Sequence, residues 1–413
     1  MKLSFKFKPK FSSIQLQMME ELSFHTTKLY NIANYICREE QYKPYIQLEK
    51  DLKVNRHRDF LHSHTYQHCL KVLEKNWKSY FKSLADYKNH PHKYKGEPGR
   101  PKYKNLKDNK NEIIFTKLAI RFKNNQLMLS LSKTIQSNFK VNSLNFEVPD
   151  KLQSLVNWNS INQVKVKYDH QIKSWYLIII YEKEELINHS TNVMAIDLGL
   201  NNLATLTFKE TNNSYVVSGK KLKSINSYIN KKIANLQSIE MKKHGSMQFK
   251  NTKRINNLRT YRENYVLDYL HKVSYRVIKL AEEHQVGKII IGDLTDIKQG
   301  VSYNKLFVQI PIQKLANMIE YKAKLNGLKI EYQEESYTSG CSAVDLEPVT
   351  NFFYNKKRRI HRGLFESSIG TINADVNGSL NILRKNEECI PKIVLTMRDK
   401  GYVFSPVRIR VAC

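Results

Sequence analysis

The chain has 413 residues, room for two or three domains at ~150 residues each, and 41% hydrophobic residues can fill a large core. Its 68 Lys and Arg against 38 Asp and Glu leave a net charge of +30. That balance calls for an extended polyanion, and nucleic acid is favoured over a membrane surface because no long apolar span or lipid-anchor motif occurs. The cysteines Cys37, Cys69, Cys341, Cys389 and Cys413 are scattered with no Cys-x-x-Cys pair, which argues against a disulfide framework or a zinc ribbon and fits a reducing cytoplasm.

At the N-terminus Leu3, Phe5 and Phe7 alternate with polar residues, so a strand is expected there rather than a signal peptide. A helical block follows. Leu22, Leu29, Ile32 and Ile36 share one helical face, and residues 65–86 repeat the pattern through Tyr66, Cys69, Leu70, Leu73, Trp77, Phe81 and Leu84. His64 and His68 are one turn apart, but their surroundings are basic and offer no acidic or cysteine ligand, so a metal site is disfavoured. Residues 88–111 are broken by Pro and Gly and set Arg100, Lys102 and Lys104 near Tyr94 and Tyr103. Cations beside flat rings suit phosphates and stacked bases; a solvated basic loop is the alternative.

From Ile113 the period becomes two. Leu118, Ile120 and Phe122 alternate, Asn124-Asn125 marks a turn, and Leu127, Leu129 and Leu131 return. A second hairpin runs through Val164–Val166, turns at Asp169-His170 and returns from Trp175 to Ile179. With the N-terminal strand these are expected to form a small antiparallel sheet or barrel, the helical block being an insertion after the first strand.

Strands then alternate with helices. Within VMAIDLGLNNLATLTF, residues 193–208, Asp197 sits in an apolar run with strand spacing. Burying an ionised carboxylate is costly, and either a bound metal ion or a turn-capping role would account for it. Residues 221–241 and 251–284 read as helices joined near Lys243-His244-Gly245, a hairpin with a basic exterior. KIIIGDL, 288–294, is a short buried strand, 311–327 a helix ending at Gly327, and LKIEYQEE, 328–335, another strand, together a parallel βαβ unit. INADVNGSLNIL places Asp375 at a helix start, with Asn377 and Asn381 on nearby faces. Alone, Asp375 reads as an N-cap. Paired with Asp197, it supplies the second hard-oxygen ligand that a two-metal nuclease needs.

In order and spacing, AIDLGLNNLATLT, KIIIGDL, EESYTSGCS and INADVNGSLNIL resemble the RuvC motif series of the TnpB family, transposon-encoded RNA-guided nucleases related to the type V CRISPR effectors. The resemblance is strong over 193–405 and weaker over 1–190. It implies an α/β plus all-β chain: a wedge β-barrel over 1–12 and 112–190, and a helical recognition domain over 13–111. An RNase H-like RuvC domain would span 191–405, with the helical hairpin at 221–284, a degenerate zinc-ribbon-like insertion at 338–372, and a tail at 406–413. The implied activity is metal-dependent cleavage of double-stranded target DNA beside a short motif, guided by an RNA from the transposon end. The implied setting is the bacterial cytoplasm, at the nucleoid.

Two departures from the family pattern matter. Where the second RuvC motif usually has Glu, this chain has Gly292, followed by Asp293. In one branch of the family a Glu just before Tyr-Thr-Ser serves instead, and here that residue is Glu335. Neighbouring strands lie only about 5 Å apart, so Glu335 could reach the same metal, while Glu334 points to the opposite face. The expected site is therefore Asp197, Glu335 and Asp375 holding two Mg²⁺ ions. Without a replacement for Gly292 the chain would be a nuclease-dead, RNA-guided DNA-binding repressor. A strand-transferring transposase is disfavoured by the large basic N-terminal half. The second departure is that only Cys341 stands where relatives carry two Cys pairs, so zinc is not expected. The basic run at 355–363, with Arg358 and Arg359, joins Arg100, Lys102, Tyr103 and Lys104 as a candidate nucleic-acid contact.

Overall fold

The computed structural model describes residues 1–105, 110–150, 153, 156–170, 172–245, 251–293, 310–361 and 363–411. Leu294, residues 106–109 and Arg362 of the two basic runs, and positions 412–413 of the expected tail lie outside the described residues. The chain divides into two units, Met1–Lys183 and Glu184–Cys413. No helix among the described residues is long and apolar enough to cross a membrane.

In the first unit, β1 (Lys2–Phe7) leads to the helix Ser13–Tyr35. Ser12 starts that helix with a reciprocal cap: its hydroxyl accepts from the Gln15 amide, and its own amide donates to Gln15 Oε1 at 2.7 Å. Met18, Leu22, Leu29 and Ala33 form its buried face, packed in one cluster with Tyr66, Leu70, Leu73 and Trp77 of the helix Ser63–Asn89. Phe81, expected on that face, is 41% exposed.

The strands that follow are β2 (Ile113–Thr116), β3 (Ile120–Lys123), β4 (Gln126–Ser130), β5 (Ser143–Glu147), β6 (Ile161–Asp169) and β7 (Ser174–Glu182). They are hydrogen-bonded as two antiparallel sheets, β1-β7-β6-β2 and β3-β4-β5, where one small sheet or barrel was expected. The reason lies at Lys117–Ala119, a 3-10 turn that parts β2 from β3 and leaves Leu118 75% exposed instead of in a strand. Asn124 and Asn125 take φ of 51° and 59°, the left-handed backbone that a tight two-residue hairpin requires. The helix Lys133–Phe139, capped by Ser132, has no counterpart among the expected elements; Ile135 is its one buried residue, too little for a helical period to show.

In the second unit, β8 (Asn192–Asp197), β9 (Asn202–Phe208), β10 (Ser214–Ser218), β11 (Val286–Asp293), β12 (Lys329–Glu334) and β15 (Val407–Ile409) make one sheet, in the order β12-β11-β8-β9-β10-β15. The pairs β8–β11, β11–β12 and β10–β15 are parallel, and β8–β9 and β9–β10 antiparallel. Parallel neighbours need a crossover, and the helix Ile312–Leu325 carries the chain from β11 to β12. The helical hairpin comprises Lys220–His244 and Lys253–Glu283, with Gly245 at φ +56° closing its first helix. β13 (Leu364–Ser367) and β14 (Gly370–Asn373) form a separate hairpin ahead of the helix Ala374–Glu387.

β15 corrects the expected tail at 406–413. Alternating Val407 and Ile409 extend the sheet beyond β10, and Ile409 packs on the core. Both faces of the central strands are covered. Met194, Ile196, Ile289 and Ile291 pack with Val273, Val277, Leu315 and Ile319; Val193, Ala195 and Ile290 pack with Ile382 and Leu383. This two-sided burial explains the unbroken apolar runs in the sequence.

Candidate active site

Asp197 ends β8 with the parity of Val193 and Ala195, so it looks onto the helix Ala374–Glu387. Gly378 on that helix leaves room for it: a Cβ there would stand 2.9 Å from Asp197 Oδ2. Asp375 lies one turn earlier. It is not the N-cap, because the Asn373 side chain takes that role and accepts from the amides of Asp375 and Val376, each at 3.1 Å. The Asp375 carboxylate accepts from Asn202 Nδ2 at 2.6 Å and pairs with Arg359 at 3.2 Å. Burial first, and then the Asp375 charge, push the Asp197 carboxyl up to about 7, with Arg359 opposing.

Gly292 and Glu335 explain one another. In the β11–β12 ladder Gly292 lies beside Gln333, and Glu335 follows with the same parity just past the strand end. Its side chain folds over Gly292, where a Cβ would stand 2.7 Å from Glu335 Cδ and 3.0 Å from Cγ. Glu335 Oε1 is buried and has no hydrogen-bond partner among the described residues. Burial, then Asp197 and Asp293, push the Glu335 carboxyl up to about 8. Glu334 takes the other face, exposed and paired with Lys385 at 2.8 Å.

Asp197 thus interacts with Asp375 and with Glu335. Among the described residues no three acidic, histidine or cysteine side chains close into a metal cage, and Asp375 is engaged by Asn202 and Arg359. A cleft of about 480 Å³ opens beside Asp375, lined by Gly199, Asn201, Asn202, Arg359 and His361.

The two neighbouring arginines differ. Arg359 faces this cleft. Arg358 turns into the 338–372 insertion, where its guanidinium bridges Asp345 and Glu347, each at 2.5 Å, donates to the Glu366 carbonyl at 3.1 Å and lies over the Phe365 ring at 5.0 Å. Asp345 also accepts from the Ser368 amide at 3.1 Å. Arg358, read from the sequence as a candidate nucleic-acid contact, is thus engaged in packing and ion pairing within the insertion. Cys341 is buried and donates to the Thr350 carbonyl.

In the first unit the basic run is strapped to its long helix. Asn31 exchanges two hydrogen bonds with Lys104, at 2.7 and 2.9 Å, while Asn34 and Arg38 both donate to the Pro101 carbonyl. Lys104 Nζ sits 5.1 Å from the Tyr30 ring centre, and Arg38 lies 5.3 Å from that of Tyr103. Arg100 donates to the Arg38 carbonyl, Lys102 is exposed, and Tyr103 is 44% exposed. Asn31, Asn34 and Arg38 had no signal in the sequence beyond ordinary helix positions.

Comparison with known proteins bears on the motif series. Residues 165–298 match the OrfB_IS605 family, described as a probable transposase, and residues 313–382 match the Cas12f1-like TNB domain. A TnpB-like protein of Methanocaldococcus jannaschii is 29% identical over 224 residues, covering 50% of this chain and 75% of its own. The CRISPR-associated endodeoxyribonuclease Cas12f2 of a Micrarchaeota archaeon is 25% identical over 291 residues, covering 61% of this chain and 50% of its own. In fold, the chain is similar to Cas12f1 as solved in complex with sgRNA and target DNA, with a TM-score of 0.64 at 15% identity over 90% of this chain and 83% of that one. The family matches and the TnpB-like relative agree with the motif series: the chain is similar to TnpB-like proteins, with an OrfB_IS605 match at 165–298 and a Cas12f1-like segment at 313–382.

Proposed function

We propose that this protein is an RNA-guided DNA endonuclease whose RNase H-like RuvC domain holds two Mg²⁺ ions through Asp197, Glu335 and Asp375. The observation that carries this reading is the Glu335 carboxylate lying over Gly292 beside Asp197, with a buried oxygen that no group among the described residues satisfies. Leaving such an acceptor unpaired costs about 1–3 kcal/mol, and burial first, with neighbouring carboxylates adding to it, holds both carboxyls above their usual range. A divalent cation relieves both penalties, and carboxylate oxygens are the hard donors that Mg²⁺ selects. The residues fit the metal on those grounds. Glu335 stands in for the glutamate that the family's second motif usually carries. Asp375 joins the set by exchanging its Arg359 partner for a cation.

When bound, the ions supply Lewis acidity and an activated water for in-line attack on a phosphodiester. The chain's own part is orientation. Asp197 ends β8 and Glu335 follows the end of β12, the two strands that flank β11, and Arg359, released from Asp375, offers a guanidinium to a phosphate in the neighbouring cleft. The charge of +30 supports a guide RNA and target duplex as partners, held largely through their backbones, with base pairing reading the sequence and the protein reading a short adjacent motif. Lys102 and Tyr103 are exposed for such contacts.

The test is cleavage of a target plasmid by the protein with its co-purified RNA and Mg²⁺. Asp197→Ala should abolish cutting and preserve guided binding; unchanged cutting would refute the site. Guided binding with no cutting at any Mg²⁺ concentration would make the protein a repressor. Gly292 motivated that reading, and its missing side chain is where Glu335 lies.

A further inference from the structure

We infer that Asn377 and Asn381 are positioning residues that set the Glu335 carboxylate against Asp375 and Asp197, a role that rests on the two-metal reading above. Both are fully buried on the helix that carries Asp375, where an amide side chain is costly unless its hydrogen bonds are made. Apart from one bond that Asn381 accepts from Arg384, they are made to one segment, the loop that leaves Glu335. Asn377 donates to the Cys341 carbonyl at 2.8 Å and accepts from the Ala343 amide at 2.9 Å. Asn381 donates to the carbonyls of Thr338 and Cys341, at 2.9 and 2.8 Å, and accepts from Arg384 at 2.9 Å. Thr338 in turn closes a turn on Glu335: its amide and its hydroxyl both donate to the Glu335 carbonyl, at 3.1 and 2.8 Å.

The same helix is fixed to the strand of the other aspartate. Ser379 donates to the Ala195 carbonyl at 3.2 Å, two residues before Asp197, and meets Thr207 Oγ1 at 2.8 Å. One helix therefore presents Asp375, grips β8 through Ser379, and grips the Glu335 loop through two asparagines. Glu335 lies beyond the end of β12, so the sheet ladder does not hold it. The two asparagines supply the hold that the strand lacks.

The experiment uses the full-length chain and Mn²⁺ as the probe, with binding read by electron paramagnetic resonance and hydrogen exchange read over 336–347. Asn381→Ala and Asn377→Ala should each weaken Mn²⁺ binding by roughly 10–100-fold, the usual effect of groups that orient metal ligands, and should release protection over 336–347. Val394→Ala, which trims a fully buried side chain from the neighbouring helix Lys392–Lys400, is the control for lost stability. It should lower the melting temperature and leave Mn²⁺ binding intact. Equal loss of Mn²⁺ affinity in Val394→Ala at matched melting temperature would overturn the positioning role, as would unchanged exchange over 336–347 in both asparagine variants. Mn²⁺ binding that survives Asp197→Ala would instead overturn the two-metal reading, and the exchange result would still decide the asparagines.

Discussion

Returning a glutamate to position 292, where the family's second motif usually has one, should inactivate this protein. The Cβ alone would stand 2.7 Å from Glu335 Cδ and 3.0 Å from Cγ, against a comfortable carbon–carbon separation of about 3.5–4.0 Å. Those Glu335 atoms cannot stay, so Gly292→Ala displaces the carboxylate while adding one methyl. Residues that merely orient a ligand are worth about 10–100-fold, so loss of the ligand itself should lower the single-turnover cleavage rate by at least about 100-fold, or ~2.7 kcal/mol at 1.36 kcal/mol per decade. Gly292→Ala, Gly292→Glu and Glu335→Ala should each show that loss with guided DNA binding unchanged. The double variant Gly292→Glu with Glu335→Ala should recover activity well above either single change, because positions 292 and 333 are direct neighbours in the ladder and a glutamate from 292 enters the vacated space. Full activity in Gly292→Ala, or a double variant no better than the singles, would refute the shared-space argument.

Other expectations follow from the same structure. Because Asp197 and Glu335 titrate near 7 and 8 in the folded chain, well above ordinary carboxylates, the metal-free fold takes up protons. That contribution to stability is complete below about pH 4 and is lost as pH rises through 7 to 8. Thermal unfolding in chelator should show a melting temperature falling over that window, and Asp197→Asn with Glu335→Gln should flatten it. Glu335→Gln should abolish cutting with binding retained, while Glu334→Gln, which touches only an exposed pair with Lys385, should cut at nearly the wild-type rate in the same plasmid assay. Arg358→Met should cost about 2 kcal/mol in chemical denaturation, less than the 3–5 kcal/mol of fully buried pairs because its cluster is partly exposed, and should leave the salt dependence of RNA binding unchanged. Lys102→Ala should reduce the log–log salt slope of RNA binding by about one if it meets a phosphate; an unchanged slope removes it from the interface.

Patterns that one residue type enforces were readable in advance. Asn124-Asn125 announced a hairpin because few other pairs accept two positive φ values. Asp197 stood out because a carboxylate in a buried strand needs a reason, and it ends β8 facing the helix that carries Asp375. The order of strands and helices from Val193 onward also followed from period and length. What stayed hidden depends on contacts between distant segments. The strands divide into two hydrogen-bonded sheets at Lys117–Ala119, three residues whose local sequence gives no warning of a 3-10 turn. Nothing near Arg358 says that it serves Asp345 and Glu347 while Arg359 serves Asp375, since adjacent side chains diverge according to what surrounds them. Asn377 and Asn381 stood out as helix-borne amides, but their partners are carbonyls some 40 positions away, and backbone acceptors leave no mark in a sequence.

The Arg358 clasp has a consequence for how the 338–372 insertion withstands its surroundings. Its polar cross-link is a set of ion pairs and a ring contact, and its cysteine, Cys341, is sealed from solvent with a thiol that burial pushes up. The buried Cys341 thiol offers alkylating agents, peroxide and soft-metal scavengers a poor handle. Ionic strength reaches the clasp, but half-enclosed pairs are screened far less than exposed phosphate contacts. As salt is raised, this insertion should hold its shape beyond the point at which the proposed nucleic-acid partner lets go, so a salt titration can separate the two without unmaking the lobe beside the candidate site.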